Sequence, residues 1–400
     1  PRPLTEPDDG QVLLLHCQPL PLGILATPSV LFEMAAPSIP NLLTLRGGGR
    51  GGGRGGGRGG GRHDPAEPGT SPSGASPDAI IQDTDTDAAV SRLSMVELGY
   101  LHDQYARHFV SGPPTRRLPI INRGTYVRTM ALNLIVFAFL SETHFPEDGR
   151  PKQVISLGAG TDTRPFRVFE MANMAGLIYH EIDFEPTCRR KYQIVRSTPG
   201  LANCLQELDA TDDGSWSARH IRGGRYHCHA ADLRKLHTDF ASAMPASIRT
   251  DVPSLILSEC CLCYLTQQAS ARVLEFFHSR MTRLAIIIYE PMPLDDTFGK
   301  IMVSNLKARK IQMPSLQRYR DPQAQERRLR EAGFSKVGHA TIKDAWDQWI
   351  ESEEKERLDV LEGLDEVEEW QLLAAHYVLA WGTKGAGFGR FGETILDKMG

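Results

Sequence analysis

The chain has 400 residues, 41% of them hydrophobic and 24% charged, with a formal net charge of -4 from 45 Lys and Arg against 49 Asp and Glu. That composition belongs to a globular protein long enough to bury its own core, and its acidic balance excludes wholesale electrostatic binding of nucleic acid. The seven cysteines (Cys17, Cys188, Cys204, Cys228, Cys260, Cys261, Cys263) are an odd number in a long chain, which excludes an even disulfide framework and indicates a reducing, cytoplasmic setting.

The first stretch of interest is Val12 to Phe32. It is apolar, but Pro19, Pro21 and Pro28 interrupt it and no basic segment precedes it. Neither a membrane span nor a signal peptide is expected there. The chain opens on Pro1, and Met34 begins a more ordinary N-terminus, so residues 1–33 are read as an artefact of how the chain was defined. Residues 47–62 read GGGRGGGRGGGRGGGR, and residues 63–87 continue in Pro, Ser, Gly, Asp and Thr. Such segments have nothing to bury. Residues 1–87 are therefore expected to be a disordered tail and residues 88–400 a single domain. Gly-Arg repeats can bind RNA, but this one carries no aromatic residue and the rest of the chain is not basic; a flexible tail is the better reading.

From Ala88 the pattern alternates. Helices are expected over Ala88–Val110 and Thr125–Leu140, the second apolar on most faces. Short strands follow at Val154–Leu157, Leu177–Ile182, His227–Ala231, Ser254–Ser258 and Ala285–Tyr289, separated by helical segments. Two more fit Ser335–His339 and Tyr377–Thr383. Seven strands, the first five alternating with helices, predict an α/β fold with a mostly parallel, doubly wound sheet. The Glu-rich stretch Glu351–Trp370 is read as a solvated helix.

The chemistry gathers at the strand ends. The first strand runs into Gly158-Ala159-Gly160, where glycines permit a sharp turn and close approach of a ligand. A dinucleotide loop would place a third glycine where Thr163 stands, and Pro165 then opens a helix, so a ligand without phosphates is favoured. The second strand ends in Asp183, a carboxylate able to accept both hydroxyls of a ribose. The third ends in Asp232 and Leu233, able to meet an adenine edge, and the fourth in Glu259. Each acid could instead be a helix N-cap, but three at successive strand tips suit a ligand with sulfonium and ammonium charges, S-adenosylmethionine. Its carboxylate needs a cation, for which Arg92 and Arg128 on the preceding helices are candidates. Cys228 between His227 and His229 lacks a second ligand cluster at zinc-like spacing, so no metal is expected.

Several motifs together carry a resemblance. They are VELGYLH (Val96–His102), NRGTYVR (Asn122–Arg128), LGAGTDTR (Leu157–Arg164), ADLR (Ala231–Arg234), SECCLCY (Ser258–Tyr264), the acidic helix ending Glu368-Glu369-Trp370, and HYVLAWGTKG (His376–Gly385). In this order they resemble leucine carboxyl methyltransferases over Ala88 to Gly385. The resemblance implies a seven-stranded class I methyltransferase fold with an N-terminal helical lid. It also implies S-adenosylmethionine as methyl donor and, as acceptor and partner, the C-terminal leucine carboxylate of the catalytic subunit of type 2A protein phosphatases. Carried over, Arg128 holds the methionine carboxylate, Gly158 approaches the cofactor, Asp183 holds the ribose, Asp232 and Leu233 the adenine, and Glu259 the methionine amino group. Arg92 stands where the family usually has Lys. An acceptor α-carboxylate, with a pKa of about 3.3–3.7, is already anionic at neutral pH and needs alignment rather than a base. Tyr264 could orient it or simply pack. The alternatives are a small-molecule O-methyltransferase and the tRNA-modifying relatives of this family, whose additional C-terminal repeat domain is not expected before Gly400. Nothing demands an oligomer, and a monomer is expected.

Overall fold

A computed structural model describes residues 76–142, 151–171, 174, 176–240, 244–389 and 391. All of these fall in one compact unit, Pro40–Gly400. The Gly-Arg repeat, Cys17 and the rest of the expected tail up to residue 75 lie outside the described residues.

The first described helix, α1 (Pro77–Glu97), begins eleven residues before the expected domain boundary at Ala88. Its start has a local cause. The Ser76 hydroxyl accepts the Ala79 N–H at 3.2 Å, and Pro77 takes the first helical position, where a missing N–H costs nothing. Gly99, at φ 86°, follows its end, so the single helix expected to reach Val110 stops here and a short 3-10 turn occupies Ala106–Phe109. Next comes α2 (Pro119–Ser141). By length and composition it could cross a membrane, but its buried residues, Val127, Leu132, Ile135 and Val136 among them, pack into the main core with strand residues Val154, Tyr179 and Leu255. Its hydropathy is that of a buried core helix.

The sheet is built from β1 (Gln153–Leu157), β2 (Ile178–Asp183), β3 (Leu205–Ala210), β4 (Trp216–His220), β5 (Arg225–Ala230), β6 (Ser254–Glu259), β7 (Leu284–Pro291), β8 (Lys336–Thr341) and β9 (Tyr377–Lys384). Their order is β3-β4-β5-β2-β1-β6-β7-β9-β8. All seven expected strands are present, but the described sheet has nine and is mixed rather than mostly parallel. The pairs β1–β2, β1–β6, β2–β5 and β6–β7 are parallel; β3–β4, β4–β5, β7–β9 and β8–β9 are antiparallel. The two unexpected strands form an edge hairpin. β3 is largely exposed, its register slips between Gln206 and Asp209, and Glu207 sits at φ 54°, so it lacks the regular apolar alternation that marks a strand.

Alternate residues of the central strands divide between two cores. Val154, Leu255, Leu257 and Ile287 join the cluster that contains α2; Ile155, Leu157, Ile256 and Ile288 join the one that contains Val273 and Phe277 of the helix Gln267–Arg280. The order reverses at β1, which has β2 on one side and β6 on the other. This is the switch point at which open α/β sheets bind ligands, beyond the carboxyl ends of the strands. The acidic stretch resolves into two helices, Ser352–Leu361 and Val367–Ala375, rather than one.

Candidate active site

β1 ends in a turn that only glycine accommodates easily. Gly158 and Gly160 have φ of 59° and 51°, in the left-handed region that L side chains avoid. Space is also lacking: a Cβ on Gly158 would lie 2.7 Å from Cys261 Sγ, and one on Gly160 would lie 2.3 Å from Asp85 Oδ1. The turn is tied to its neighbours. Gly158 N–H donates to Ile182 O at 2.8 Å, and Gly160 N–H donates to Asp183 Oδ2 at 2.7 Å. Thr161 donates its N–H and its hydroxyl to Asp85 Oδ1, each at 2.7 Å.

Asp183, at the end of β2, also accepts the Phe184 N–H at 2.7 Å. Burial pushes its carboxyl up, against the pull of the two amides. A carboxylate has about four acceptor positions, so two amide donors leave room for others. Asp232, after β5, caps a 3-10 turn by accepting Arg234 N–H at 2.9 Å; the Arg234 guanidinium bridges it to Asp78 of α1 at 2.7 Å. The capping role and a half-buried position on the cavity wall coexist in this residue.

Glu259 closes β6. Its Oε1 accepts from Arg128 Nε of α2, and its Oε2 accepts from Arg164 Nη2 at 3.2 Å. Burial alone would raise its carboxyl, but Arg128 and Arg164 outweigh that and hold it below the usual carboxylate range. Arg164 opens α3 (Arg164–Phe169) and is paired with Asp162 as well. Arg92, on α1, donates Nη1–H to Thr161 O at 2.9 Å. Three guanidiniums (Arg92, Arg128, Arg164) thus meet two carboxylates (Asp162, Glu259), a local excess of positive charge suited to an anionic group.

Arg92, Arg128, Gly158, Asp183, Asp232, Leu233, Glu259 and Tyr264 all line one cavity of about 350 Å³. Every site residue expected from the sequence is therefore brought to one place. Tyr264 ends the 3-10 turn Leu262–Tyr264, half-buried, and burial holds its hydroxyl well above its ordinary range. Other lining residues were not legible beforehand. Asp85 is one. Others are Tyr289 and Tyr377, whose rings stack 5.5 Å apart with the Arg128 guanidinium 4.8 Å from Tyr289. Met302, Leu306, Ile311 and Met313 add an apolar part to the cavity lining. Neither histidine nor lysine is among the described lining residues. No cluster of His, Cys, Asp and Glu among the described residues could hold a metal ion.

The turn that excludes any Cβ, the acids at successive strand ends and the clustered guanidiniums fit the adenosine and amino-acid parts of S-adenosylmethionine. Comparison with known sequences shows the family. Residues 77–278 match the model of the leucine carboxyl methyltransferase family. The chain is 43% identical to leucine carboxyl methyltransferase 1 of Emericella nidulans, covering 87% of this chain and 94% of that one, and 44% identical to its namesake in Aspergillus fumigatus, covering 88% and 96%. It is 30% identical to human tRNA wybutosine-synthesizing protein 4, over 76% of this chain but 44% of that protein. Among solved structures it bears a distant likeness to the plantazolicin methyltransferase BamL in complex with SAH, with 9% identity, coverage of 76% and 100%, and a TM-score of 0.35. The chain belongs to the leucine carboxyl methyltransferase family and is an S-adenosylmethionine-dependent methyltransferase.

Proposed function

We propose that this enzyme methylates the C-terminal leucine α-carboxylate of the catalytic subunit of type 2A protein phosphatases, forming a methyl ester, as a cytoplasmic monomer. The observation that carries the reading is that no histidine, lysine or unengaged carboxylate stands among the described residues of the cavity wall. Asp78 and Asp232 pair with Arg234, Asp85 with Arg190, Asp87 with Arg117 and Arg309, Asp162 with Arg164, and Glu259 with Arg128 and Arg164. Asp183 accepts two backbone amides. A hydroxyl or amine acceptor would have to lose a proton to such a group. A carboxylate arrives already ionised.

When bound, S-adenosylmethionine supplies a methyl group on a sulfonium, open to attack by a nucleophile. Arg128 and Arg92 would hold its methionine carboxylate, Glu259 its ammonium, Asp183 its ribose hydroxyls, and Asp232 and Leu233 its adenine. Gly158 lets the backbone come close. The protein's remaining task is to strip water from the acceptor carboxylate and align it. Tyr264 orients that carboxylate, and the apolar wall around Met302, Leu306 and Ile311 receives the leucine side chain.

α1 serves as the lid. Asp78, Asp85, Ala88 and Arg92, spaced three to seven residues apart along it, all face the cavity. Its aspartates fasten it through Arg234, Thr161, Arg190 and Arg309. The chemistry of the product tests the reading. Label carried as a methyl ester is released as methanol by mild alkali, whereas label that survives alkali, as an ether or amine would, contradicts a carboxylate acceptor.

A further inference from the structure

We propose that Arg164 is a positioning residue for the methionine end of the cofactor, holding the Glu259 carboxylate in one orientation while Arg128 exchanges. The proposal rests on Glu259 as the acceptor of the cofactor's ammonium. Arg164 itself is not on the cavity wall, whereas Asp162 and Glu259 are. Its side chain is 3% exposed, against 26% for Arg128. Each of its nitrogens meets a different acceptor: Nε meets Asn133 Oδ1 of α2 at 3.2 Å, Nη1 meets Asp162 Oδ2, and Nη2 meets Glu259 Oε2 at 3.2 Å. Asp162 also accepts the backbone N–H of Arg164 at 3.0 Å, so one carboxylate grips the arginine at two points.

The two oxygens of Glu259 therefore differ. Oε2 is bound to a buried guanidinium with no freedom to leave, since its departure would strand a charge and break three contacts. Oε1 is bound to Arg128, which is half-buried and borders the cavity. A ligand ammonium can replace Arg128 at Oε1 and release that guanidinium to a ligand carboxylate, with the Glu259 carboxylate held in place throughout. Only a planar fork can span Asn133, Asp162 and Glu259 at once; a lysine at this position would reach one of them.

The test compares two ligands that share adenosine and differ at the amino-acid end. S-Adenosylhomocysteine carries the ammonium and carboxylate; 5′-methylthioadenosine lacks both. Affinities are measured by calorimetry on the full chain with Arg164→Met and Arg164→Lys. Wild type is expected to favour S-adenosylhomocysteine. Arg164→Met is expected to weaken S-adenosylhomocysteine by about tenfold or more while 5′-methylthioadenosine stays within about twofold, with Arg164→Lys in between. Equal losses for both ligands would make Arg164 a general structural residue and overturn the proposal. A wild type that does not distinguish the ligands would remove the ammonium reading beneath it and the proposal with it. If Arg164→Met does not fold, Asn133→Ala removes one prop of the same guanidinium. It is expected to give a smaller loss confined to S-adenosylhomocysteine, and a loss shared by both ligands would again overturn the proposal.

Discussion

Arg128 Nε–H donates to Glu259 Oε1 across the gap between α2 and the end of β6, and both side chains line the cavity. Opposite charges held side by side at a cavity wall are the complement of a zwitterion. An α-amino acid end can pair its carboxylate with the Arg128 guanidinium and its ammonium with the Glu259 carboxylate without leaving either charge unpaired, which would be the costly outcome in a desolvated site.

Arg128→Ala follows directly. Loss of charge-assisted hydrogen bonds to the cofactor costs about 1.5–3 kcal/mol, roughly a 10- to 150-fold rise in the Kd for S-adenosylmethionine. Calorimetric titration checks it. Wild-type affinity in the variant would remove Arg128 from the site.

Gly158→Ala strains the turn in two ways. The residue sits at φ 59°, and the new methyl would lie 2.7 Å from Cys261 Sγ and 3.0 Å from Cys261 Cβ. A destabilisation of about 2 kcal/mol is expected, read from urea unfolding, together with weaker cofactor binding. Adding Cys261→Ala removes the sulfur and restores part of the stability, but not the part that comes from the backbone.

The Asp162–Arg164 pair predicts a pH dependence. Burial pushes the Asp162 carboxyl up, but Arg164 and Arg92 outweigh it and hold it at about 2, against an ordinary 3.8. On acidification the unfolded chain therefore takes up this proton first. The ion stabilises the fold by about 2 kcal/mol at all pH above about 4, and that contribution is lost as pH falls from about 4 through 2. Unfolding of wild type and Asp162→Asn side by side should give a stability gap that is constant above about pH 5 and narrows below 4. A gap that widens on acidification contradicts the assignment.

Truncation separates the tail from the site. The family match begins at residue 77, and Asp78 is the first described residue on the cavity wall. Removing residues 1–75 should leave cofactor affinity within about twofold. Removing residues 1–87 takes away Asp85, which holds the Thr161 N–H and hydroxyl, and Asp87, which pairs with Arg309; it should raise the cofactor Kd by about tenfold. Equal affinities for the two truncations would show that the first half of α1 contributes nothing to binding.

The parallel core was legible because its strands are buried on both faces and read as short apolar runs, such as VISL before Gly158 and LAIIIYEP at β7. The site was legible for a related reason: Asp183 and Glu259 close β2 and β6, and Asp232 follows just after β5, so an acid stands where each of these buried strands gives way to its loop. The β3–β4 hairpin was not, because LQELDA is mostly solvent-exposed and bulged. The start of α1 hid inside a Pro-, Ser- and Asp-rich stretch, although Ser76-Pro77 is a fair helix-start signal. Its aspartates face a polar cavity and basic partners rather than a core, so α1 lacks an apolar stripe. Arg164 sat in plain view within LGAGTDTR. Its role depends on Asn133 and Glu259, 31 and 95 residues away, a relation that no local pattern encodes.

The central claim is the identity of the acceptor. The purified enzyme, incubated with methyl-labelled S-adenosylmethionine and the phosphatase catalytic subunit, should transfer label to the intact subunit and fail to label one lacking its terminal leucine. Undiminished labelling of the shortened subunit would contradict the account.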